Sequence, residues 1–182
     1  MKLIGITGKA RSGKDSAARH LVMNHEFVRL AFADPLKLAA QEIFGLTAEQ
    51  TWSDELKEIV IQRWGMAPRK MFQLLGTECV KPFFGEDMWI KRLDMNYDIL
   101  KDSDHVVVTD VRFDPEAEYI RSKGGIIVEV RRGTGLAGEA GGHVSERGLS
   151  KPADLVIENY GTLEDLHDAV DDMIALIDSM GV

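Results

Sequence analysis

Residues 2–16 read KLIGITGKARSGKDS, and the fold turns on this stretch. Its apolar, β-branched start stops at Gly8, which is the pattern of a short buried strand. Gly8, four further residues, Gly13 and Lys14 then follow the spacing of a phosphate-binding glycine loop. Residues Gly13–Asn24 are expected to form a helix with Ala17, Ala18, Leu21 and Val22 on one face. Strand, loop and helix in that order turn backbone N–H groups into one small volume. The helix N-terminus adds partial positive charge, and Lys14 adds a full charge toward the β- and γ-phosphates of a nucleotide. A bare glycine turn is the bland alternative, and the flanking strand and helix argue against it. One position departs from the pattern: Asp15 stands where a Ser or Thr hydroxyl usually holds Mg²⁺. Either Asp15 binds Mg²⁺ itself, directly or through water, or it complements the helix dipole while Ser16 or Asp110 serves the metal.

Outward from the loop, Phe27–Ala33 reads as a second strand. Asp34 is placed to cap the next helix, Pro35 opens it and Gly45 ends it. From Thr47 to Leu100 no strand stands out. Apolar spacing suggests helices over Asp54–Trp64, Pro68 to about Lys81, and Asp87 to about Leu100. Such a helical insertion, about residues 47–101, is long enough to cover a substrate. His105–Val111 and Ile126–Val130 are further strands, and ADLVIEN at 153–159 is the last. The glycine-rich stretch of about 131–150 carries Arg131, Arg132 and Arg147 and reads as a lid. From Thr162 a helix carries Leu163, Leu166, Val170, Met173, Ile174 and Ile177 on one stripe. Five apolar strands alternating with helices imply an α/β, three-layer fold with a parallel sheet covered on both faces. The chain reads as one domain, 1–182, with its core at about 1–46 and 102–182. Ligands of such sheets bind at the carboxyl ends of the strands, where Gly8, Asp34, Asp110, Arg112 and Arg131 fall.

The 22 Lys and Arg against 30 Asp and Glu leave a formal charge of −8, which disfavours nucleic acid as a partner. The single cysteine, Cys79, cannot form an internal disulfide and is expected to be a buried apolar residue in a reducing, cytoplasmic setting. No signal peptide is visible, and no apolar run approaches the roughly 18 residues of a membrane span.

Asp110 ends an apolar strand, the position from which an acid reaches the hydration shell of a nucleotide-bound metal; a turn cap is the alternative. Arg112 suits a phosphoryl group in transfer, and a surface ion pair is its alternative. Asp34 and Lys37 sit where the second strand ends, although Asp34 before Pro35 is also an ordinary helix start, repeated at Asp114–Pro115. Arg69, Gln73 and Glu78 are polar positions among Met71, Phe72, Leu74 and Leu75. Gln73 could read a base edge and Arg69 a phosphate, or they could line a solvated helix face. Trp89 and Trp64 could stack on a base, though tryptophan more often packs a core. Arg131 and Arg132 could close over ATP phosphates and exclude water. His143 is given no role as a base, and His20, His25, His105 and His167 lack metal-ligand spacing.

Taken together, GKARSGKD, FADPLK, RKMFQLLGTE, GEDMWI, VVVTDVRFDPEAEYI, HVSE and ADLVIENYGTLEDL resemble, in the same order and over nearly the whole chain, the deoxynucleoside monophosphate kinases of bacteriophages. The resemblance implies a nucleoside monophosphate kinase fold, ATP and Mg²⁺, transfer of the γ-phosphoryl group to a dNMP, and the host cytoplasm as the setting. An aspartate after the loop lysine is a feature of this group and of phosphomevalonate kinases, which implies a working loop. The resemblance places phosphate contacts on Gly8, Arg11, Ser12, Gly13, Lys14, Asp15 and Ser16. It places acceptor-side roles on Asp34, Lys37, Arg69, Gln73, Glu78 and Trp89, and a transition-state role on Arg112 and a lid arginine. Members of the family are often homodimers. Rival readings are a phosphomevalonate- or dephospho-coenzyme A-kinase-like enzyme and a non-catalytic nucleotide switch.

Overall fold

The computed structural model describes residues 2–102, 104–132 and 148–180. Five strands form one sheet: β1 (Leu3–Thr7), β2 (Phe27–Leu30), β3 (His105–Val108), β4 (Ile126–Arg131) and β5 (Leu155–Glu158). Their order is β2-β3-β1-β4-β5, and every neighbouring pair is parallel. The helices are α1 (Lys14–Asn24), α2 (Asp34–Phe44), α3 (Ala48–Trp52), α4 (Pro68–Gln73), α5 (Lys81–Phe84), α6 (Met88–Leu100), α7 (Asp114–Ser122) and α8 (Leu163–Met180). The chain divides into two compact units, Met1–Ala31 with Asp94–Val182, and Phe32–Leu93, with the boundary inside α6.

The first unit contains the sheet. Ile4, Ile6, Val107, Val128 and Val130 join Ala17 and Leu21 of α1 and Leu166, Val170, Ile174 and Ile177 of α8 in one buried cluster. Period-2 strands and period-3.6 helices bring their apolar sides together there. The opposite face carries α7. A Cβ built on Gly5 would stand 2.5 Å from Ile120 Cδ1, 2.8 Å from Ile127 Cδ1 and 3.0 Å from Val111 Cγ2. Gly5→Ala is therefore expected to overpack this face by about 1–3 kcal/mol and lower the melting temperature by several degrees. A thermal melt matching wild type would mean that the layer under α7 is not tight. On the same side Asp94 accepts from Tyr119 Oη (2.8 Å) and from Lys123 Nζ (2.7 Å). The Lys123 bond, then the Tyr119 bond, hold its carboxyl below the usual carboxylate range.

β2 and β3 stop three residues earlier than their apolar runs suggest. Leu30 pairs with Val108, and each is the last residue of its strand. Beyond them single bonds replace the ladder, Thr109 N to Leu30 O (3.1 Å) and Val111 N to Ile6 O (3.2 Å). Val22 is exposed because it turns off the face that Leu21 presents to the sheet. Leu163, expected on the buried stripe of α8, is exposed and lines an open cavity.

In the second unit Leu36, Ala40, Leu46, Met71 and Phe72 form the core. Ala33, not Asp34, is the N-cap of α2; Asp34 and Pro35 are its first two residues, and Gly45 ends it with φ 63°. Thr47 and Gln50 form a reciprocal cap that starts the unanticipated α3: Gln50 N donates to Thr47 Oγ1 (3.1 Å) and Thr47 N to Gln50 Oε1 (2.9 Å). The helix expected over 54–64 is absent. A 3₁₀ turn spans Leu56–Glu58, and the chain then reverses between Ile61 and Met66, with Gly65 at φ 64°. The β-branched run Ile59–Ile61 disfavours a helix at that point. The helix expected from Pro68 to about Lys81 is α-helical only to Gln73; Leu74–Val80 is a π-helical turn before α5. Within it Gly76 lies against α2, where an added Cβ would be 2.6 Å from Leu36 Cδ2. Cys79, on this turn, is exposed rather than buried. Among the described residues no helix is long and apolar enough to cross a membrane.

Candidate active site

The loop between β1 and α1 is held by close backbone approaches. Gly8 has φ 150°, and a Cβ there would lie 2.5 Å from the Val130 carbonyl oxygen and 2.7 Å from Ser12 Oγ. Gly13 has φ 101°, and its Cβ would lie 2.4 Å from Asn159 Nδ2. Arg11 takes the left-handed conformation at φ 62°, although it is not glycine. Ser12 N donates to Lys9 O (3.1 Å), tightening the turn. Asn159, just past β5, donates its side-chain amide to Ser12 O (2.8 Å) and its backbone N–H to Arg131 O (2.7 Å). The last strand thus clamps the loop. Ser12 Oγ is buried and has no hydrogen-bond partner among the described residues. An orphaned hydroxyl costs about 1–3 kcal/mol unless a ligand satisfies it. That orphan, and a loop too close-packed for a Cβ at either glycine, are compatible with a phosphate cradle.

Lys14 opens α1 with its side chain largely buried, and its Nζ is 3.2 Å from Asp15 Oδ2. The Asp15 carboxylate is exposed, so this pair is weak and can be opened by a competing anion. Ser16, Arg132, Gly13, Asn159, Thr162 and Leu163 are among the residues that line a cavity of ≈ 130 Å³ beside the loop. Asp110 and Arg112 lie just past β3, where the Val111–Ile6 bond holds their segment against the end of β1. Glu116 Oε2 accepts from Arg112 N (2.8 Å) and Phe113 N (3.1 Å), so the turn into α7 is fixed by a helix-capping carboxylate. Arg131 ends β4 and pairs with Glu129 (2.7 Å) and Glu158 (3.7 Å). Those carboxylates, Glu129 first, raise its already high pKa.

Gly8, Ser12, Gly13, Lys14, Asp15, Ser16, Asp110, Arg112, Arg131 and Arg132 thus all belong to the first unit, at or just past the carboxyl ends of its strands. The other sequence-derived residues belong to the second. Asp34 is in the first turn of α2, and Lys37 Nζ lies 4.7 Å from the centre of the Trp52 ring. Arg69 forms an ion pair with Glu58. Gln73 ends α4 half-buried, and Glu78 is exposed on the π turn. Trp89 packs on the Met71–Phe72 core, and its Nε1 donates to Gly76 O (3.1 Å). Residues 133–147, including Arg147, His143 and most of the stretch read as a lid, lie outside the described residues. Sequence reasoning missed Asn159, Glu129 and Glu158. Only Asn159 left a signal, a polar residue at the end of an apolar strand and shortly before a glycine.

The family described as Deoxynucleotide monophosphate kinase matches residues 42–170. A protein of Acanthamoeba polyphaga mimivirus, whose name assigns it provisionally to that activity, is 35% identical over 184 residues, covering 93% of this chain and 94% of its own. The deoxynucleotide monophosphate kinase of Enterobacteria phage T4 is 24% identical, with 97% of this chain and all of that protein aligned. Among solved structures, dephospho-CoA kinase from Campylobacter jejuni covers the full length of both chains at 16% identity with a TM-score of 0.56. TT1252 from Thermus thermophilus covers 96% of each at 24% identity and 0.52. These two likenesses speak for the fold alone, a parallel α/β sheet covered by helices. The family match spans most of the chain, including α4, α7, Asp110, Arg112 and Asn159, and the mimivirus relative covers 93% of it; the chain belongs to the deoxynucleotide monophosphate kinase family.

Proposed function

We propose that this protein catalyses ATP + dNMP → ADP + dNDP, the terminal phosphoryl group of ATP passing to an oxygen of the acceptor's phosphate. The observation that carries this reading is the clamped loop with its orphaned Ser12 hydroxyl and Lys14 at the helix start, in a chain of this family. The backbone of Gly8–Gly13 cradles the ATP phosphates, with Arg11 and Ser12 contributing side chains. Lys14 balances charge on the group in transfer, and Arg112 and Arg131 are the arginines proposed to stabilise it. Arg131 must first leave Glu129 and Glu158. Arg132 and Ser16 line the cavity proposed for the nucleoside end of ATP. Mg²⁺, when bound, would neutralise phosphate charge. Asp15, Ser16 and Asp110 supply the oxygen donors such a hard cation takes. On the second unit Asp34, Lys37, Arg69, Gln73, Glu78 and Trp89 are the proposed acceptor-side residues. Catalysis on this scheme is positioning and electrostatics, with no strong general base required.

A coupled ADP-release assay with Mg-ATP tests this, offering each common dNMP, the matching NMPs, phosphomevalonate and dephospho-coenzyme A in turn. Turnover with one or more dNMPs is the expected result. Turnover only with phosphomevalonate or dephospho-coenzyme A, or ATP binding with no turnover on any acceptor, would overturn it.

A further inference from the structure

Away from the loop, the packing of α1 against α8 gathers side chains that the sequence keeps far apart. His25 is the C-cap of α1, turned back by its N–H bond to Leu21 O (3.0 Å), so its ring returns toward that of His20, with centroids 5.6 Å apart. On α8, His167 and Asp171 are four residues apart and so share a face. His20 Nε2 and His25 Nε2 each lie 2.6 Å from the same oxygen, Asp171 Oδ1. The His167 ring stacks on that of His20 with centroids 4.2 Å apart. Spacing along the chain gave these histidines no ligand pattern. The fold supplies one, because the candidate ligand atoms of His20, His25 and Asp171 all lie within 4.8 Å of one another.

We propose that His20, His25 and Asp171 form a binding site for a divalent transition metal of the zinc class, bridging α1 to α8. Bonds of about 2.0–2.2 Å in a tetrahedral site separate neighbouring ligand atoms by about 3.4 Å, so the trio need open by less than about 1 Å to admit an ion. Two neutral imidazoles and one carboxylate, with no thiolate, suit Zn²⁺ and leave at least one position for water. Coordination through Nε2 requires the ring proton on Nδ1. His20 Nδ1 lies 3.1 Å from Asn24 Nδ2, which also donates to His20 O (3.3 Å), so metal binding must turn this amide away as the ring proton moves to Nδ1. The rings are mostly buried, whereas the Asp171 side chain is 50% exposed, so an ion has access from solvent. The neighbouring Asp168 and Asp172 on α8 add attraction for a cation. His20 lies six residues beyond Lys14, about 9 Å along α1. The site is therefore structural: it ties the helix that begins at the phosphate loop to the helix whose first residues line the neighbouring cavity.

Chelator-stripped protein, titrated with Zn²⁺ by calorimetry and with Co²⁺ by visible absorption, tests the site. One equivalent should bind with the strong d–d bands of a low-symmetry Co²⁺ complex, and Zn²⁺ should raise the melting temperature. His25→Ala and the near-isosteric Asp171→Asn should each weaken binding at least about tenfold and abolish the thermal shift, with dNMP kinase turnover unchanged. Folded wild type that binds no Zn²⁺, or binding and thermal shift that persist equally in both variants, would overturn the proposal.

Discussion

Lys14→Ala is expected to lower kcat by about 10³-fold or more, near 4 kcal/mol of transition-state stabilisation, with the fold intact. The loss is large because Lys14 is proposed to act on charge that is greatest while the phosphoryl group is in flight. Its ammonium is already at the loop, 3.2 Å from Asp15, in a side chain that is largely buried. Desolvation there strengthens its pull on a phosphate oxygen relative to water. Stability should change little, since the one ion pair lost is to an exposed carboxylate, which contributes less than about 1 kcal/mol. Turnover measured at saturating ATP and dNMP, beside a thermal melt, separates the two effects. Lys14→Arg keeps the charge but not its compact shape, and should recover only part of the rate. A folded Lys14→Ala protein with near wild-type kcat would remove the phosphate-loop reading, whichever acceptor the enzyme uses.

The first unit was legible because its signals are local. The β-branched runs at β1, β3 and β4 read as buried strands, the loop glycines sit between a strand and a helix, and five of the six α8 stripe residues fall on the core. The strand ends were less legible, because the end of β3 depends on where β2 stops beside it. The second unit resisted for a tertiary reason. Its π turn places Gly76 against Leu36 of α2, a contact about forty residues away that no local pattern encodes. The same limit hid the supports of the site. Asn159 reaches Ser12 across 147 residues, and His25 reaches Asp171 across 146. Sequence motifs pointed to the groups proposed to touch phosphate. The groups that hold those groups in place emerge only once the sheet and its covering helices are assembled.

Gly8→Ala should be nearly as damaging as loss of Lys14, by a different route. A Cβ at this position would stand 2.5 Å from the Val130 carbonyl oxygen. That atom is backbone of a central, doubly paired strand, so no rotamer change relieves the clash. The second near atom, Ser12 Oγ at 2.7 Å, belongs to the orphaned hydroxyl inside the cradle. The loop must therefore move off β4, opening the Asn159 clamp and misdirecting the N–H groups proposed to face phosphate. Destabilisation of about 2–4 kcal/mol combines the overpacking with the cost of a side chain at positive φ. kcat/KM for ATP should fall at least about 10²-fold, as misplaced positioning groups commonly cause. Gly45→Ala is the control: φ there is 63°, but nothing lies within 4 Å of the added Cβ. It should show only the conformational cost, about 1–2 kcal/mol, with ATP kinetics unchanged. If the two variants lose equal stability and Gly8→Ala keeps wild-type kcat/KM, the close approach of the loop to β4 has no part in holding the nucleotide.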